Sequence, residues 1–529
     1  MSKYAEFSSA AVAAPHLAAA QAGRDILAQG GNAIEAMVAM AATIAVVYPH
    51  MNGLGGDGFW LIRDARGKVR AIEACGFAGQ FATPERYAKL RLEAIPPRGA
   101  QAAVTVPGTV GGWALALQLA GALGGRLPLP ILLERAAQCA REGTPVSPSE
   151  ARFDPAGDAE LMAAPGFAEA FCVDAKRAPA GHPRKQPRLG ETLAQLAHAG
   201  LGDFHRGDVA REIAADLEAI GSPVTRADLK AYEAAWREPL SLRLGEATLH
   251  NTPAPTQGIA SLILLGVYEK LGVRDLDGFA HAHTLIEAAK RAMAIRDRVA
   301  TDFRYATADF GALLSSAALD REARAIDRTR AAPWPLPPEK GDTVWMGAID
   351  GAGVAVSFIQ SLYWEYGSGC VLPKTGLLMQ NRGMAFSLDP RALNPLKPGR
   401  RPFHTLNAPL AVYDDGRTLS YGAMGGDGQP QFQAQVFSRV AAGQSITQAL
   451  AAPRHLYGRA WGSQSASVKL EAGYDDGVAR QLERAGHVIE RRGAQEVDGF
   501  GHAGALLRGA KGGVEAGHDP RADGGALGL

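Results

Sequence analysis

The chain has 529 residues, 47% of them hydrophobic, and its 55 basic and 54 acidic side chains leave a formal charge of +1. That balance provides no electrostatic footprint for nucleic acid or an anionic membrane surface and favours a small-molecule enzyme. The length calls for two domains or one large intertwined unit, and the 63 glycines suit a turn-rich mixed α/β protein.

The first seven residues carry a lysine but no apolar run behind it, so no secretory signal and a cytoplasmic location are expected. Segments 18–29 and 32–47 read as two helices split by Gly30-Gly31, with Asn32 as cap and Glu35 completing a capping box. The second is almost wholly apolar but holds Glu35 and runs into Pro49, which marks a buried helix and no membrane span. Gly53-Leu54-Gly55-Gly56-Asp57-Gly58-Phe59 is a glycine-dense turn feeding a strand. It has neither the preceding strand nor the following helix of a dinucleotide fingerprint, so no cofactor is expected.

Residues 64–67 make a hairpin turn before a strand at 69–74, and Val104 to Trp113 reads as strand, proline turn and helix. Segment 145–187 is rich in Pro, Ala and Gly and reads as helices and loops over the active-site side or the periphery. A short helix begins near Arg188, and Thr225 caps another. Strands are expected at 240–244 and 248–251, then the loop Pro253-Ala254-Pro255-Thr256-Gln257-Gly258. A helix follows over 283–299, its Glu287 and Arg291 spaced as an i,i+4 surface pair. Cys75, Cys139, Cys172 and Cys370 form no Cys-x-x-Cys pair and read as buried thiols. His50, His281, His283 and His404 show no ligand spacing, so no metal is expected.

An Arg- and Pro-rich stretch, 309–340, ends in an accessible segment at 333–340. The next residues, Gly341-Asp342-Thr343-Val344-Trp345-Met346-Gly347, start a strand that turns at 350–353 and returns through Val354-Ala355-Val356-Ser357. An Asp-Thr pair in a strand is ordinarily just packing. A threonine at a chain start is different, because its α-amine, with a reference pKa of roughly 7.7–8, can serve its own hydroxyl as base. Beyond it come a short strand at 377–380, a surface loop at 395–402, a hairpin at 410–422 and the turn Gly425-Gly426-Asp427-Gly428-Gln429-Pro430. Helices at 431–440 and 445–451, strands at 468–470 and 503–507, and a tail expected to fray complete the chain.

The Gly341 to Gly353 hairpin, Gly30-Gly31-Asn32-Ala33, the 53–59 turn and Val104 to Trp113 together resemble the gamma-glutamyltranspeptidase family, over about 18–510. The resemblance implies an α+β, four-layer αββα sandwich of the N-terminal-nucleophile hydrolases. It implies self-cleavage between Asp342 and Thr343 into a large chain, 1–342, and a small chain, 343–529, which together form one αββα unit. Thr343 would be the nucleophile and Gly425 and Gly426 the oxyanion donors.

His404-Thr405-Leu406-Asn407 stands where transpeptidases carry consecutive serines. Thr405 or Asn407 is expected to meet a polar group of the substrate, with His404 either structural or part of the site. The family's helper positions fall near Ile359, which lacks a polar group, and Ser361; Tyr363 is a further candidate for the pocket. A substrate arginine cannot be assigned beyond nearby Arg86, and Asn381-Arg382-Gly383-Met384-Ala385 holds no acid for a glutamyl ammonium. An ammonium unpaired in a closed pocket is heavily penalised, so a small anionic amide is expected instead.

Among the family's branches the pattern is most similar to oxamate amidohydrolases, implying hydrolysis of oxamate to oxalate and ammonia in purine breakdown. The alternatives are a gamma-glutamyl hydrolase or transpeptidase, a glutaryl or cephalosporin-type acylase, and an unprocessed binding or structural relative. The expected partners are a small amide, water, the two subunits of one precursor and, at most, further copies of that pair.

Overall fold

Along the strand Asp342–Ile349, Val344, Met346 and Ala348 pack to one side and Trp345 and Ile349 to the other, and all are buried. A strand apolar on both faces belongs inside a stack of layers. The structure, a computed structural model, describes residues 4–153, 158–174, 176–333, 342–458 and 467–529 and contains that stack.

The two central sheets are built, in chain order, from β1 (Tyr4–Phe7), β2 (Ala11–Ala14), β3 (Asp57–Arg63), β4 (Val69–Ala74), β5 (Ala235–Arg237), β6 (Leu240–Leu244), β7 (Ala247–Asn251), β8 (Asp342–Ile349), β9 (Ala355–Tyr363), β10 (Leu410–Tyr413), β11 (Thr418–Ala423), β12 (Ala503–Arg508), β13 (Val514–His518) and β14 (Gly525–Gly528). One sheet runs β14-β2-β8-β9-β3-β4-β5 and the other β1-β13-β12-β11-β10-β7-β6. All of these pairings are antiparallel.

Helices α1 (Leu17–Ala28), α2 (Ala33–Val47), α3 (Thr109–Ala122) and α4 (Leu129–Glu142) share a core with the first sheet. Helices α5 (Gly258–Leu271), α6 (Phe279–Val299) and α7 (Gln429–Ala441) share one with the second. A third cluster, with Ala11, Leu61, Trp345, Leu410 and Leu506, fills the space between the sheets. This is the expected αββα order. As the sequence implies, Asn32 Oδ1 accepts from the Ile34 and Glu35 amides while Glu35 accepts from the Asn32 amide.

Four expectations need correction. The tail does not fray: β13 and β14 add to both sheets, and the Leu529 amide donates to the Ala10 carbonyl (2.9 Å). Residues 377–380 form isolated bridges, Val371 with Leu378 and Gly55 with Met379, and no strand. Before α3, Thr105 makes only a bridge to Ala78. Glu287 is buried and pairs with Lys290 at 2.7 Å, while Arg291 reaches Glu322. Helix amphipathicity cannot reveal that the face bearing Glu287 is covered by a later part of the chain. The segment just before Asp342 lies outside the described residues. No helix among the described residues is long and apolar enough to cross a membrane.

The sheets approach closely around Trp345. Its indole Nε1 donates to Ser357 Oγ (2.9 Å), and a Cβ built on Gly347, Gly422 or Gly504 would fall 2.2–2.8 Å from indole atoms. Glycine at these three positions leaves room for the ring. Gly422→Ala is therefore expected to lower the melting temperature, at a cost of about 1–3 kcal/mol from overpacking. An unchanged thermal melt would show that the layers separate more easily than this contact implies.

Candidate active site

Thr343 stands at the start of β8, where the ladder to β9 shifts register between Asp342 and Val344. It is 1% exposed, and its Oγ1 accepts a hydrogen bond from Gln429 Nε2 at 3.3 Å. Gln429 opens α7, directly after the turn that starts at Gly425. Its Oε1 accepts in turn from the amide and Nδ2 of Asn407 (3.3 and 3.1 Å). Asn407 Oδ1 accepts from Asn251 Nδ2 (3.1 Å) and Ser261 Oγ (3.0 Å). Asn407 is thus engaged within the protein, where it holds the glutamine that meets the threonine.

Gly425 and Gly426 have φ of +118° and +52°, and a Cβ on Gly425 would meet Phe432 at 2.8 Å. Only glycine takes that backbone comfortably. Neither amide has a hydrogen-bond partner among the described residues, which is the state expected of donors reserved for a developing oxyanion. The turn is fixed from behind. Gln257 Nε2 donates to the Gly426 carbonyl (2.8 Å) and the Thr405 carbonyl (2.5 Å). Arg296 donates to Gln257 Oε1 (2.8 Å) and forms a short, buried ion pair with Asp427.

The other candidates divide. Thr405 Oγ1 accepts from Arg382 Nη1 (3.4 Å). Ser361 Oγ accepts from the Tyr363 amide (2.8 Å), supporting a backbone turned to φ +87° at Tyr363. Tyr363 faces Asp342 across the ladder. His404 is fully buried edge-on to Phe59, 5.0 Å between ring centroids, with Nε2 3.7 Å from Asp57 Oδ2. Burial draws its pKa well below the usual imidazole value, with Arg382 and Arg401 adding to the effect, so the ring is neutral. The ring packs against Phe59, and neither of its nitrogens has a hydrogen-bond partner among the described residues.

Ile359 lies in an apolar cluster with Phe59, Cys75 and Leu406. The Arg86 guanidinium is tied to Gln101 (2.9 Å) and the Gly221 carbonyl (2.7 Å), so it is not a ligand-binding arginine. Asp57 Oδ1 accepts from the Gly76 and Gly108 amides (3.0 and 3.1 Å), and burial pushes its carboxyl up to about 6.

Sequence spacing had denied any ligand-like histidine group, yet His283, Glu287 and His487 come together, their nearest polar atoms all within 4.8 Å. His487 lies far along the chain, so no local spacing exposes the trio. The two rings are hydrogen-bonded at 2.9 Å, His283 Nε2 meets the Asp327 carbonyl (2.8 Å), and Glu287 is occupied by Lys290. The arrangement is an internal brace against the last described turn before the Asp342 strand.

Gln257, Arg296, Arg382 and Gln429 were all missed in sequence. The signal for Gln429 was a polar residue ending a glycine turn at a helix start; for Gln257, the Pro/Gly loop that carries it.

A family model described as Gamma-glutamyltranspeptidase matches residues 19–529. The chain is 48% identical over 517 residues to an oxamate amidohydrolase proenzyme of Klebsiella pneumoniae, covering 97% of each. It is 36% identical over 522 residues to a glutathione hydrolase-like proenzyme of Bacillus subtilis, covering 98% of each. Among solved structures, a cephalosporin acylase from Bacillus halodurans superposes with a TM-score of 0.90 at 32% identity, over 100% of this chain and 97% of that one.

Proposed function

The chain belongs to the gamma-glutamyltranspeptidase family of self-processing N-terminal-nucleophile hydrolases, and on that premise we propose that it hydrolyses a small anionic amide, oxamate being the best candidate, from Thr343. The observation that carries this proposal is the Thr343 hydroxyl held by Gln429 beside the open glycine turn.

Cleavage before Thr343 would give chains 1–342 and 343–529 and free the α-amine. That amine takes the Oγ proton as Oγ bonds to the amide carbon, and the oxyanion is met by the Gly425 and Gly426 amides. The tetrahedral adduct collapses as the same proton passes to the leaving nitrogen, which departs as ammonia. Water then adds to the ester, again with the amine as base, and releases the dicarboxylate. The 48% identical relative, named for oxamate, supports that substrate over a gamma-glutamyl one, as does the lack of an acid in the 381–385 segment. The four free cysteines suit a reducing compartment; cytoplasmic purine breakdown is the setting we assign.

The test is ammonia release from oxamate, run beside gamma-glutamyl anilide and a glutaryl amide. Turnover of oxamate with little of the others is expected. Turnover confined to the anilide would restore the transpeptidase alternative, and turnover confined to the glutaryl amide would favour the acylase one, for which the Bacillus halodurans structure speaks.

A further inference from the structure

Arg382 is fully buried, a state that an arginine rarely occupies without a partner. Its guanidinium lies over the Tyr363 ring, 4.0 Å from the centroid, and Nη1 donates to Thr405 Oγ1 at 3.4 Å. The other two nitrogens, Nε and Nη2, have no hydrogen-bond partner among the described residues; the buried Asp57 carboxylate acts on the guanidinium through charge without bonding to either. These two N–H groups line one edge of the guanidinium plane, the side-on fork that matches the two oxygens of a carboxylate. Burial draws this group down to about 10, with Tyr363 and Asp57 the nearer influences pulling the other way. It therefore keeps its charge at neutral pH.

The position ties this fork to the proposed nucleophile from two sides. Tyr363, beneath the guanidinium, is the ladder partner of Asp342, the residue before Thr343. Thr405, which accepts from Nη1, shares Gln257 with Gly426 of the oxyanion turn.

We propose that Arg382 is the specificity residue that reads a carboxylate on the substrate, so that the site selects short amides carrying that charge next to the scissile carbonyl. This rests on the amidohydrolase reading of Thr343. Tyr363, whose φ is an uncommon +87°, places its ring as a floor under the guanidinium plane. A neutral amide of the same size meets the same nucleophile and oxyanion donors but leaves the fork empty.

The experiment compares oxamate with oxamide, its uncharged analogue, in the wild type, Arg382→Gln and Arg382→Lys, with intact mass recording self-cleavage and calorimetry recording oxalate binding. In Arg382→Gln, kcat/KM for oxamate should fall roughly a hundred-fold or more, the loss typical of truncating one partner of a buried charge pair. Oxamide turnover should change little, oxalate affinity should fall in parallel with the oxamate effect, and both variants should still be cut. Arg382→Lys, with charge but no fork, should lie between, and it serves if the glutamine variant does not fold. Oxamate turnover or oxalate affinity retained in a folded Arg382→Gln protein would overturn the proposal, as would equal losses on oxamate and oxamide. A wild type that is uncut or inert to oxamate yet binds oxalate through Arg382 would instead overturn the reading of Thr343 and leave the fork standing.

Discussion

Thr343→Ala is expected to leave a single 55.5 kDa polypeptide with amide hydrolysis down roughly 10⁴-fold or more, the scale seen when the nucleophile of a catalytic unit is removed. Alanine lacks the Oγ that would attack the Asp342–Thr343 bond, so the chain is not cut, and without the cut no α-amine exists to act as base. One substitution removes nucleophile and base together, which is why the effect should exceed that of any neighbour. The fold should tolerate it, because the hydroxyl's bond to Gln429 is long, at 3.3 Å, and the strand keeps its ladders to β2 and β9. Intact mass, N-terminal sequencing and a thermal melt separate these points. A variant that matures at this bond and hydrolyses oxamate at the wild-type rate would show that the chemistry lies elsewhere.

The second large effect should come from Arg296→Met. Arg296 and Asp427 have side chains only 6% and 5% exposed, and breaking such a buried pair by removing one partner costs about 3–5 kcal/mol. The damage reaches function, since Arg296 also holds Gln257, and Gln257 holds the Gly426 carbonyl. A clearly lower melting temperature and slowed self-cleavage are expected. Adding Asp427→Asn should recover part of the stability loss, because the two residues are in contact and their effects are coupled by about 0.5–3 kcal/mol. Losses that simply add in the double variant would mean that the pair is not the linchpin of the turn.

How legible all this was in the sequence depends on the range of the forces involved. Local signals held: the Asn32–Glu35 cap, the 350–353 turn and the Thr225 cap depend on residues within a few positions. Strand order was not legible, since β2 finds β8 and β14 across hundreds of residues and nothing in four alanine-rich positions names those partners. The resemblance supplied the layers that pattern alone could not. In the proposed site, Thr343 and the glycine pair were singled out by the family resemblance, since an Asp-Thr pair or a glycine turn is ordinary by itself. Arg382 and Gln429 were not, because a single arginine or glutamine is ordinary in sequence until the fold buries it. Glu287 misled for the same reason in reverse: its spacing fits a surface pair, and only the later chain around His487 encloses it.

The weave of the sheets bears on when folding must happen. β8, the strand at whose start the proposed cut falls, lies between β2 of the large chain and β9 of the small one, and β3, β7 and β1 pair with β9, β10 and β13. While the polypeptide is continuous, closing these ladders costs only loop entropy, which grows slowly with length. Once divided, the same ladders would have to form by encounter of two unfolded fragments, in competition with aggregation of exposed strand edges. The precursor is in this sense its own template, and maturation erases the route by which the molecule was assembled.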